Sequence, residues 1–435
     1  MWTKLCAACL LSASFALASG QAIERAVPES VGVSSQRLGL VTEMLRQHVD
    51  DGRVAGLVAG MMHKGELVYL ESLGWQSLGE TRMRDDALFQ VRSMSKPITA
   101  VAALQLVEAG RLSLSDPVAD YIPSFANVVV FSDPVTQDAT QTRLPARAMT
   151  IADLLKNTAG LSHRFSPLYR NNAVRSRADT LEQLVDKVAA VPLLGDPGEQ
   201  WVYSISLTVL GRVVEVVTGL PFDTYLQQQV LSPLGMNDTG FFVKPSAEER
   251  LARAYRFSDS DSGSELARVP AMPMPITQDP PLKEGAAGLV SSVPDYLRFL
   301  QFLLDGRKAE SGRGDNEEGV VLAARLVAEM TRNQIEPRLM PFGTNPARPM
   351  LDRGWGYGLA VVVDANKSAY ATHNGEFGWS GSLGTFAWAD PVTDTALVLM
   401  LQIQPADAHS LAQKFKALAA QAVIAGDAIS SPTPR

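Results

Sequence analysis

The chain has 435 residues, of which 46% are hydrophobic and 20% are charged. This balance is typical of a globular protein with a large core, and it excludes a disordered or fibrous chain. The formal net charge is -7, and no run of lysines and arginines of the kind that binds nucleic acid or an anionic membrane is present. Nucleic-acid binding is therefore not expected.

The first 22 residues have the layout of a secretory signal peptide. Lys4 precedes a short apolar run that ends in small residues, and cleavage is expected after Ala18 or Ala22. The run is too short to span a bilayer, so we expect a periplasmic or secreted protein without stable membrane insertion. Both cysteines lie in this segment, which leaves the mature chain without disulfides or a thiol nucleophile.

The next part of the chain predicts a helix, a hairpin and a second helix. The segment SSQRLGLVTEMLRQHVDDG, from Ser34, has apolar residues at helical spacing after serine caps. Two apolar runs then meet at His63-Lys64-Gly65-Glu66, which is a hairpin signal. The apolar helix ITAVAALQLVEAGRL follows the sequence VRSMSKP, which contains Ser93 and Lys96.

The middle third of the chain predicts helices separated by Pro/Gly loops. The segments TIADLLKNTAGL, SRADTLEQLVDKVAAV and SLTVLGRVVEVVTGL have helical periodicity, and Gly219 is placed to cap the last of them. The polar stretch FSDSDSGSE is predicted to be a surface loop.

From Gly354 onward the pattern indicates strands and a final helix. The predicted strands are WGYGLAVVV, SAYATHN, LGTFAWAD and TALVLMLQ, and the helix is HSLAQKFKALAAQAVIA. Strands at both ends of the chain predict one sheet built from both, with a helical insertion. We therefore predict an α/β domain formed by residues 23–115 and 285–435, and a mainly helical domain over residues 116–284.

Ser93 and Lys96 are three residues apart, so their side chains share one face at the start of a helix. A hydroxyl becomes a good nucleophile when a neighbouring base removes its proton, and a lysine with a lowered pKa is such a base. The helix N-terminus also offers a backbone N–H to an oxyanion. One S-x-x-K is expected by chance in a chain of this length, so other residues must decide between a catalytic pair and an ordinary helix end.

Two further segments carry candidate site residues. Tyr203 precedes an apolar helix at the end of a Pro/Gly loop, where a phenol can shuttle a proton, although a core tyrosine fits the same pattern. The glycine-rich segment HNGEFGWSGSLGTFAWADP precedes a strand, and its glycines would let a substrate approach a strand edge that donates an N–H. A tight hairpin is the alternative for this segment.

These segments together resemble the serine β-lactamase and penicillin-binding-protein superfamily, whose motifs are S-x-x-K, Y-x-N or Y-S, and K-T-G. TIADLLKNTAGLSH, PGEQWVYS, VLSPLGMNDTGF and AAGLVSSVPDYLRFLQFLL are similar to further ordered segments of that superfamily, from about residue 28 to 425. The resemblance implies an α+β fold of the β-lactamase/transpeptidase-like type, with an antiparallel sheet flanked by helices and an inserted helical domain. It also implies that Ser93 attacks an acyl carbonyl while Lys96 and Tyr203 move the proton.

The sequence departs from the superfamily pattern at two positions. Ile205 replaces the asparagine of Y-x-N, and the lysine of K-T-G is missing. The candidates for that lysine's place are His373 and Trp379, and the likeness of FGWSGSLGTFAWADP to the esterases and acyltransferases of the superfamily favours Trp379. The resemblance then implies an oxyanion site formed by the backbone N–H groups of Ser93 and Ser382. It also implies that this site and the substrate pocket beside it are formed by residues of both segments: Ile205, His373, Trp379, Gly381, Ser382.

Three functional hypotheses follow. The first is a serine hydrolase of small or short-acyl carboxylic esters, because without the motif lysine a neutral ester suits the site better than a penicillin. The second is an amide hydrolase, either a D-amino-acid peptidase or a β-lactamase, and the third is a catalytically silent binding domain. The sequence has no G-x-S-x-G elbow, so an esterase of the α/β-hydrolase type is not supported. No cofactor or metal is expected, since the sequence has no nucleotide-binding glycine motif and no zinc-ligand spacing.

Overall fold

The computed structural model describes residues 23–260, 263–270, 274–312, 321–344, 349–406 and 409–424. The predicted signal peptide lies outside the described residues. Within them, the α-helices are α1 Ser35–Asp50, α2 Ser95–Glu108, α3 Ile151–Lys156, α4 Pro167–Asn171, α5 Leu181–Ala189, α6 Ser206–Thr218, α7 Phe222–Leu226, α8 Val293–Glu310, α9 Ala324–Met330 and α10 Leu411–Ala422. The first and last helices confirm the predictions from the terminal segments.

The described strands fall into one large sheet and three small ones. In chain order they are β1 Gly56–His63, β2 Glu66–Ser77, β3 Thr81–Arg82, β4 Phe89–Gln90, β5 Val130–Phe131, β6 Thr142–Arg143, β7 Tyr255–Ser260, β8 Gly263–Arg268, β9 Val290–Ser291, β10 Arg353–Trp355, β11 Ala360–Val362, β12 Phe377–Ser380, β13 Phe386–Asp390, β14 Thr395–Leu401 and β15 Ile403–Gln404. The large sheet has the order β10-β11-β12-β13-β14-β1-β2-β3 and is antiparallel throughout.

Both ends of the described chain contribute to this sheet, as the strand pattern predicts. Strand β1 lies between its hairpin partner β2 and strand β14, so Leu57 is opposite both Leu73 and Leu401. The β1–β2 turn is formed by Lys64 and Gly65 with φ of 53° and 84°, the left-handed conformations that a two-residue hairpin requires. The domain boundaries proposed from the sequence stay a prediction.

Helices cover both faces of the sheet and bury two hydrophobic clusters. Helices α1 and α10 pack on one face, where Leu45 and Phe415 are fully buried. Helices α2 and α8 cover the other face, where Ile98 and Val293 are buried. Val293 packs so closely on Gly60 that a Cβ there would lie 2.7 Å from its Cγ1. This second face contains the start of α2 and therefore Ser93.

Local sequence signals explain how the helices of the middle third begin and end. Thr150 and Asp153 form a reciprocal capping box at α3, and Thr180 and Gln183 form one at α5. Gly219 ends α6 in the left-handed conformation, as predicted.

Three sequence predictions of local structure were wrong. The segment WGYGLAVVV is not one strand, because β10 ends at Trp355 and the chain turns back so that β11, from Ala360, pairs with it. The described residues of the stretch FSDSDSGSE, 257–260 and 263–265, lie in the paired strands β7 and β8, and β7 also pairs with β15 through Tyr255 and Ile403, so this polar segment extends a small sheet. The segment SAYATHN, residues 368–374, forms no strand. Its backbone is held by side chains, with the N–H of His373 donating to Glu376 at 2.6 Å.

Candidate active site

Ser93 stands at the head of α2, in a short 3-10 turn over Arg92–Met94 that runs directly into the helix. Arg92 has a φ of 50°, a left-handed conformation that costs a residue with a Cβ about 1 kcal/mol. Ser95 stabilises the turn, because its hydroxyl donates to the Arg92 carbonyl at 2.7 Å and accepts from the Leu289 N–H at 3.0 Å. The turn thus presents the partly exposed Ser93 at a helix N-terminus.

Lys96 lies one helical turn after Ser93 and is almost fully buried, with 2% of its surface exposed. Its Nζ donates to the Ala286 carbonyl at 2.8 Å and lies 4.4 Å from the centre of the Tyr203 ring. Burial lowers the pKa of Lys96, Tyr203 opposes this effect, and the positive charge of Arg164 adds to it. A neutral amine beside a serine can accept the hydroxyl proton, so the environment suits a general base.

Tyr203 lies at the centre of an aromatic wall beside Lys96. The indole Nε1 of Trp379 donates to the Tyr203 hydroxyl at 2.8 Å, and the two ring centres are 5.5 Å apart. The ring of Trp355 meets Trp379 edge-on at 4.7 Å, and Trp201 stacks on Tyr203 at 5.9 Å. The position of the phenol oxygen is therefore fixed by a neutral hydrogen-bond donor.

His163 forms the next layer of this wall, and sequence reasoning assigned it no role. Its ring stacks on Tyr203 with centres 5.9 Å apart, and Phe165 follows at 5.8 Å. Burial and the charges of Arg164 and Lys96 lower the pKa of His163 to about 4, so it is neutral at pH 7. The position of His163 in the sequence gives no signal that its ring stacks on Tyr203. The only local feature is that His163 directly follows the segment TIADLLKNTAGLS.

The turn after β12 packs against the backbone just before Ser93. The Gly381 N–H donates to the Thr385 carbonyl at 2.8 Å, and the Thr385 hydroxyl donates to the Val91 carbonyl at 3.2 Å. A Cβ on Gly381 would lie 2.4 Å from that same Val91 oxygen, which explains the glycine. Ser382 is exposed in this turn, and its N–H has no acceptor among the described residues.

Two other residues predicted to line the pocket have surroundings different from those of Trp379. Ile205 is fully buried in the core at the N-cap of α6, because the helix begins there and turns its side chain inward. His373 precedes the Phe377 end of β12 and pairs with Asp390 at 2.8 Å. Where β12 pairs with β13, Phe377 at the start of β12 is opposite Ala389. The predicted site lies at the other end of β12, at Ser380. Trp379, not His373, lies beside Tyr203.

The surroundings of His373 contain the one described group of side chains with metal-ligand spacing, namely His373, Glu376 and Asp390. Glu376 is buried and already accepts from Trp388 Nε1 at 2.7 Å and pairs with Lys416. His373 Nδ1 is held by Asp390. Each of the three side chains thus already has a hydrogen-bond partner within the protein.

Comparison with known proteins places this site in a family. The family model described as beta-lactamase matches residues 41–421. The chain belongs to the beta-lactamase family. None of the described helices is both long and apolar enough to cross a membrane.

Relatives within this family include esterases. The chain is 32% identical over 370 residues to protein Rv1367c of Mycobacterium tuberculosis, covering 83% of this chain and 89% of that one. It is 30% identical over 378 residues to the esterase EstB of Burkholderia gladioli, covering 81% and 87%. The structure of EstCE1, a hydrolase with promiscuous acyltransferase activity, matches with a TM-score of 0.74 and 26% identity over 90% of this chain and 99% of that one.

These findings confirm the fold and superfamily predicted from the sequence. The chain has the β-lactamase/transpeptidase-like α+β fold and is a serine hydrolase or acyltransferase of the beta-lactamase superfamily. The roles of individual residues, the ester substrate and the cellular location stay predictions.

Proposed function

We propose that this protein hydrolyses carboxylic esters with small or short acyl groups through an acyl-enzyme on Ser93. The observation that carries the proposal is the contact between Trp379 and Tyr203. Where the penicillin-recognising members of the superfamily have the lysine of K-T-G, Trp379 provides one neutral N–H, and that N–H is already donated to the Tyr203 oxygen at 2.8 Å. No fixed charge stands at this position to hold the carboxylate of a penicillin.

The reaction would proceed in two halves. Neutral Lys96 accepts the hydroxyl proton of Ser93 as its Oγ forms a bond to the ester carbonyl carbon. The backbone N–H groups of Ser93 and Ser382 stabilise the negative charge that develops on the carbonyl oxygen. When the C–O bond breaks, the leaving alkoxide receives its proton from the Lys96–Tyr203 pair. Water then attacks the acyl-enzyme, releasing the acid and regenerating Ser93.

An alcohol could replace water in the second half. EstCE1 is described as a hydrolase with promiscuous acyltransferase activity, and its structural likeness supports acyl transfer as a side reaction of the same acyl-enzyme. Export is part of the proposal as well, although the predicted signal peptide lies outside the described residues. The substrate would then be a small molecule encountered in the periplasm or outside the cell.

The test compares two substrates and two serine variants. The mature protein is expected to hydrolyse p-nitrophenyl butyrate and to leave nitrocefin nearly untouched. Ser93→Ala should reduce ester turnover by roughly 10⁴-fold or more, because removing a nucleophile leaves only binding and oxyanion stabilisation. Ser115→Ala, which changes an exposed serine outside the site, serves as the matched control.

Other outcomes would support the competing hypotheses. Efficient, Ser93-dependent turnover of nitrocefin or of a D-Ala peptide would favour an amide hydrolase. If no substrate is turned over by a folded protein, the scaffold serves binding. Ester turnover that survives Ser93→Ala would remove Ser93 from the mechanism.

A further inference from the structure

A cluster of arginines adjoins the candidate active site, although the chain as a whole is acidic. The buried carboxylate of Glu284 is in contact with Arg164 and Arg175 and interacts electrostatically with Arg92 and Arg177. Arg164 pairs with Glu284 at 2.9 Å, and Arg175 makes a bidentate pair with it at 3.0 and 2.7 Å. The cluster therefore carries an excess of three positive charges.

Two of these arginines, Arg92 and Arg177, form no direct ion pair with a described residue, although the charge of Glu284 acts on both. The Nε and Nη2 atoms of Arg177 are buried and have no hydrogen-bond partner in the described structure. Arg92 makes no ion pair with any described residue, and burial together with the charges of Arg164, Arg175 and Arg177 lowers its pKa to about 10. Guanidinium groups desolvated without an anion are costly, so this arrangement suits a site that receives one.

Side-chain contacts connect the cluster to the catalytic residues. Phe165 is half exposed and lies under two guanidinium groups, at 4.5 Å from Arg164 and 5.8 Å from Arg175. The Phe165 ring contacts His163, which stacks on Tyr203. Arg92 is the residue that directly precedes Ser93. The cluster is thus connected to the catalytic residues at two points, through the chain at Arg92 and through the contacts of Phe165 with His163 and of His163 with Tyr203.

We propose that this arginine cluster binds a carboxylate of the substrate, so that the ester cleaved at Ser93 carries an acidic group in its acyl or alcohol half. The inference rests on the proposed ester hydrolysis and specifies its substrate class. Glu284 neutralises one arginine and fixes two of them in place, while Arg92 and Arg177 retain donors for the ligand. A planar guanidinium matches a carboxylate with two parallel hydrogen bonds, which a lysine does not.

The test measures preference between matched charged and neutral esters. Mono-p-nitrophenyl suberate is compared with p-nitrophenyl octanoate for the acyl half, and p-acetoxybenzoate with its methyl ester for the alcohol half. We expect the wild-type ratio of kcat/KM, charged over neutral, to exceed one in at least one pair. This ratio should fall as salt is added, because charge attraction is screened.

Arg177→Gln is the decisive variant, since it removes a charge without breaking an ion pair among the described residues. In the pair of esters that the wild type distinguishes, the charged-over-neutral ratio of kcat/KM should fall about tenfold in Arg177→Gln, as expected for a lost charge-assisted hydrogen bond. Arg177→Lys should retain part of the preference for the charged ester. Arg325→Gln, which changes an exposed arginine of α9, should leave the ratio unchanged. Circular dichroism establishes that each variant is folded.

The outcomes separate this inference from the proposed function. A wild-type ratio at or below one in both pairs, or a ratio that Arg177→Gln does not change, would overturn the inference. In that case Ser93-dependent hydrolysis of the neutral esters would still support the proposed function. Loss of Ser93 dependence for all four esters would overturn the proposed function instead.

Discussion

Lys96 can act as a base only while its amine is neutral, and the residues around it control that state. Burial is the main cause of its lowered pKa, and the charge of Arg164 lowers the pKa further. If Lys96 activates Ser93, kcat/KM for a neutral ester should rise with pH as Lys96 loses its proton and then reach a plateau.

Arg164→Gln should move this rise to higher pH. Removing the positive charge raises the pKa of Lys96, so a larger fraction of the enzyme is protonated and inactive at a given pH below the plateau. The measurement is the pH profile of kcat/KM for p-nitrophenyl butyrate. Arg325→Gln is the control and should superimpose on the wild type. A profile of Arg164→Gln that is unchanged or shifted to lower pH would exclude Lys96 as the titrating base.

Local sequence motifs single out some candidate site residues, whereas other residues come together only through folding. Ser93, Lys96 and Tyr203 stand in short motifs whose spacing has a chemical reason, and the structure places Lys96 against the Tyr203 ring. The arginine cluster could not be predicted, because Arg92 and Glu284 are far apart in the chain and meet only through folding. The burial of Ile205 could not be predicted either, because the motif does not show that the chain enters the core two residues after Tyr203.

At the scale of elements, the site depends on the close packing of the β12–β13 turn against the segment before α2. Gly381 permits this approach, with room for a hydrogen atom but not for a methyl group beside the Val91 carbonyl and the Thr385 hydroxyl. The turn fixes Ser382, so a displacement of the turn would separate the two N–H groups of the predicted oxyanion site.

Gly381→Ala should therefore damage activity and stability together. Overpacking against backbone is expected to lower the free energy of unfolding by about 1–3 kcal/mol, and displacement of the turn should reduce kcat by roughly tenfold or more. Urea denaturation and ester turnover are the measurements.

Gly39→Ala is the matched control for this prediction. Gly39 lies in α1 with nothing within 4 Å of an added Cβ, so the substitution should raise the free energy of unfolding by about 0.5–1 kcal/mol. Activity should stay at the wild-type value. A Gly381→Ala variant that behaves like Gly39→Ala would show that the turn tolerates a side chain.

Helices and strands with strong local sequence signals were predictable. Strands that form only by pairing with a distant part of the chain were not. The β1–β2 hairpin and α6 follow from a turn at Lys64-Gly65 and a cap at Gly219. The β7–β8 hairpin has a polar sequence typical of a loop. It forms a sheet because β15, more than 130 residues later in the chain, pairs with β7.

At the scale of the whole molecule, the two ends of the described chain are joined to each other. The Ser34 N–H donates to the Ala422 carbonyl at 2.8 Å, and the Ile424 N–H donates to the Gly32 carbonyl at 2.8 Å. Helices α1 and α10 pack together on the sheet beside this junction. The large sheet was predictable because strand patterns occur at both ends of the sequence. Its strand order depends on long-range pairing that the pattern does not specify.

The predicted export can be tested on the intact protein. When the full sequence is expressed with a functional secretion system, the exported protein should begin at Ser19 or Ile23, as cleavage after Ala18 or Ala22 requires. Mass spectrometry of the purified protein from the periplasm or the medium measures this directly. A protein that remains in the cytoplasm with its first residues intact would contradict the prediction.

The proposed mechanism requires that Ser93 form a covalent acyl-enzyme, and a serine-directed organophosphate should label the same side chain. We would treat the mature protein and Ser93→Ala with p-nitrophenyl diethyl phosphate and map the adduct by peptide mass spectrometry. We expect one diethylphosphoryl group on Ser93, with loss of esterase activity in proportion to labelling, and no label on folded Ser93→Ala. An adduct on another residue, or an active enzyme that stays unlabelled, would contradict a mechanism built on Ser93.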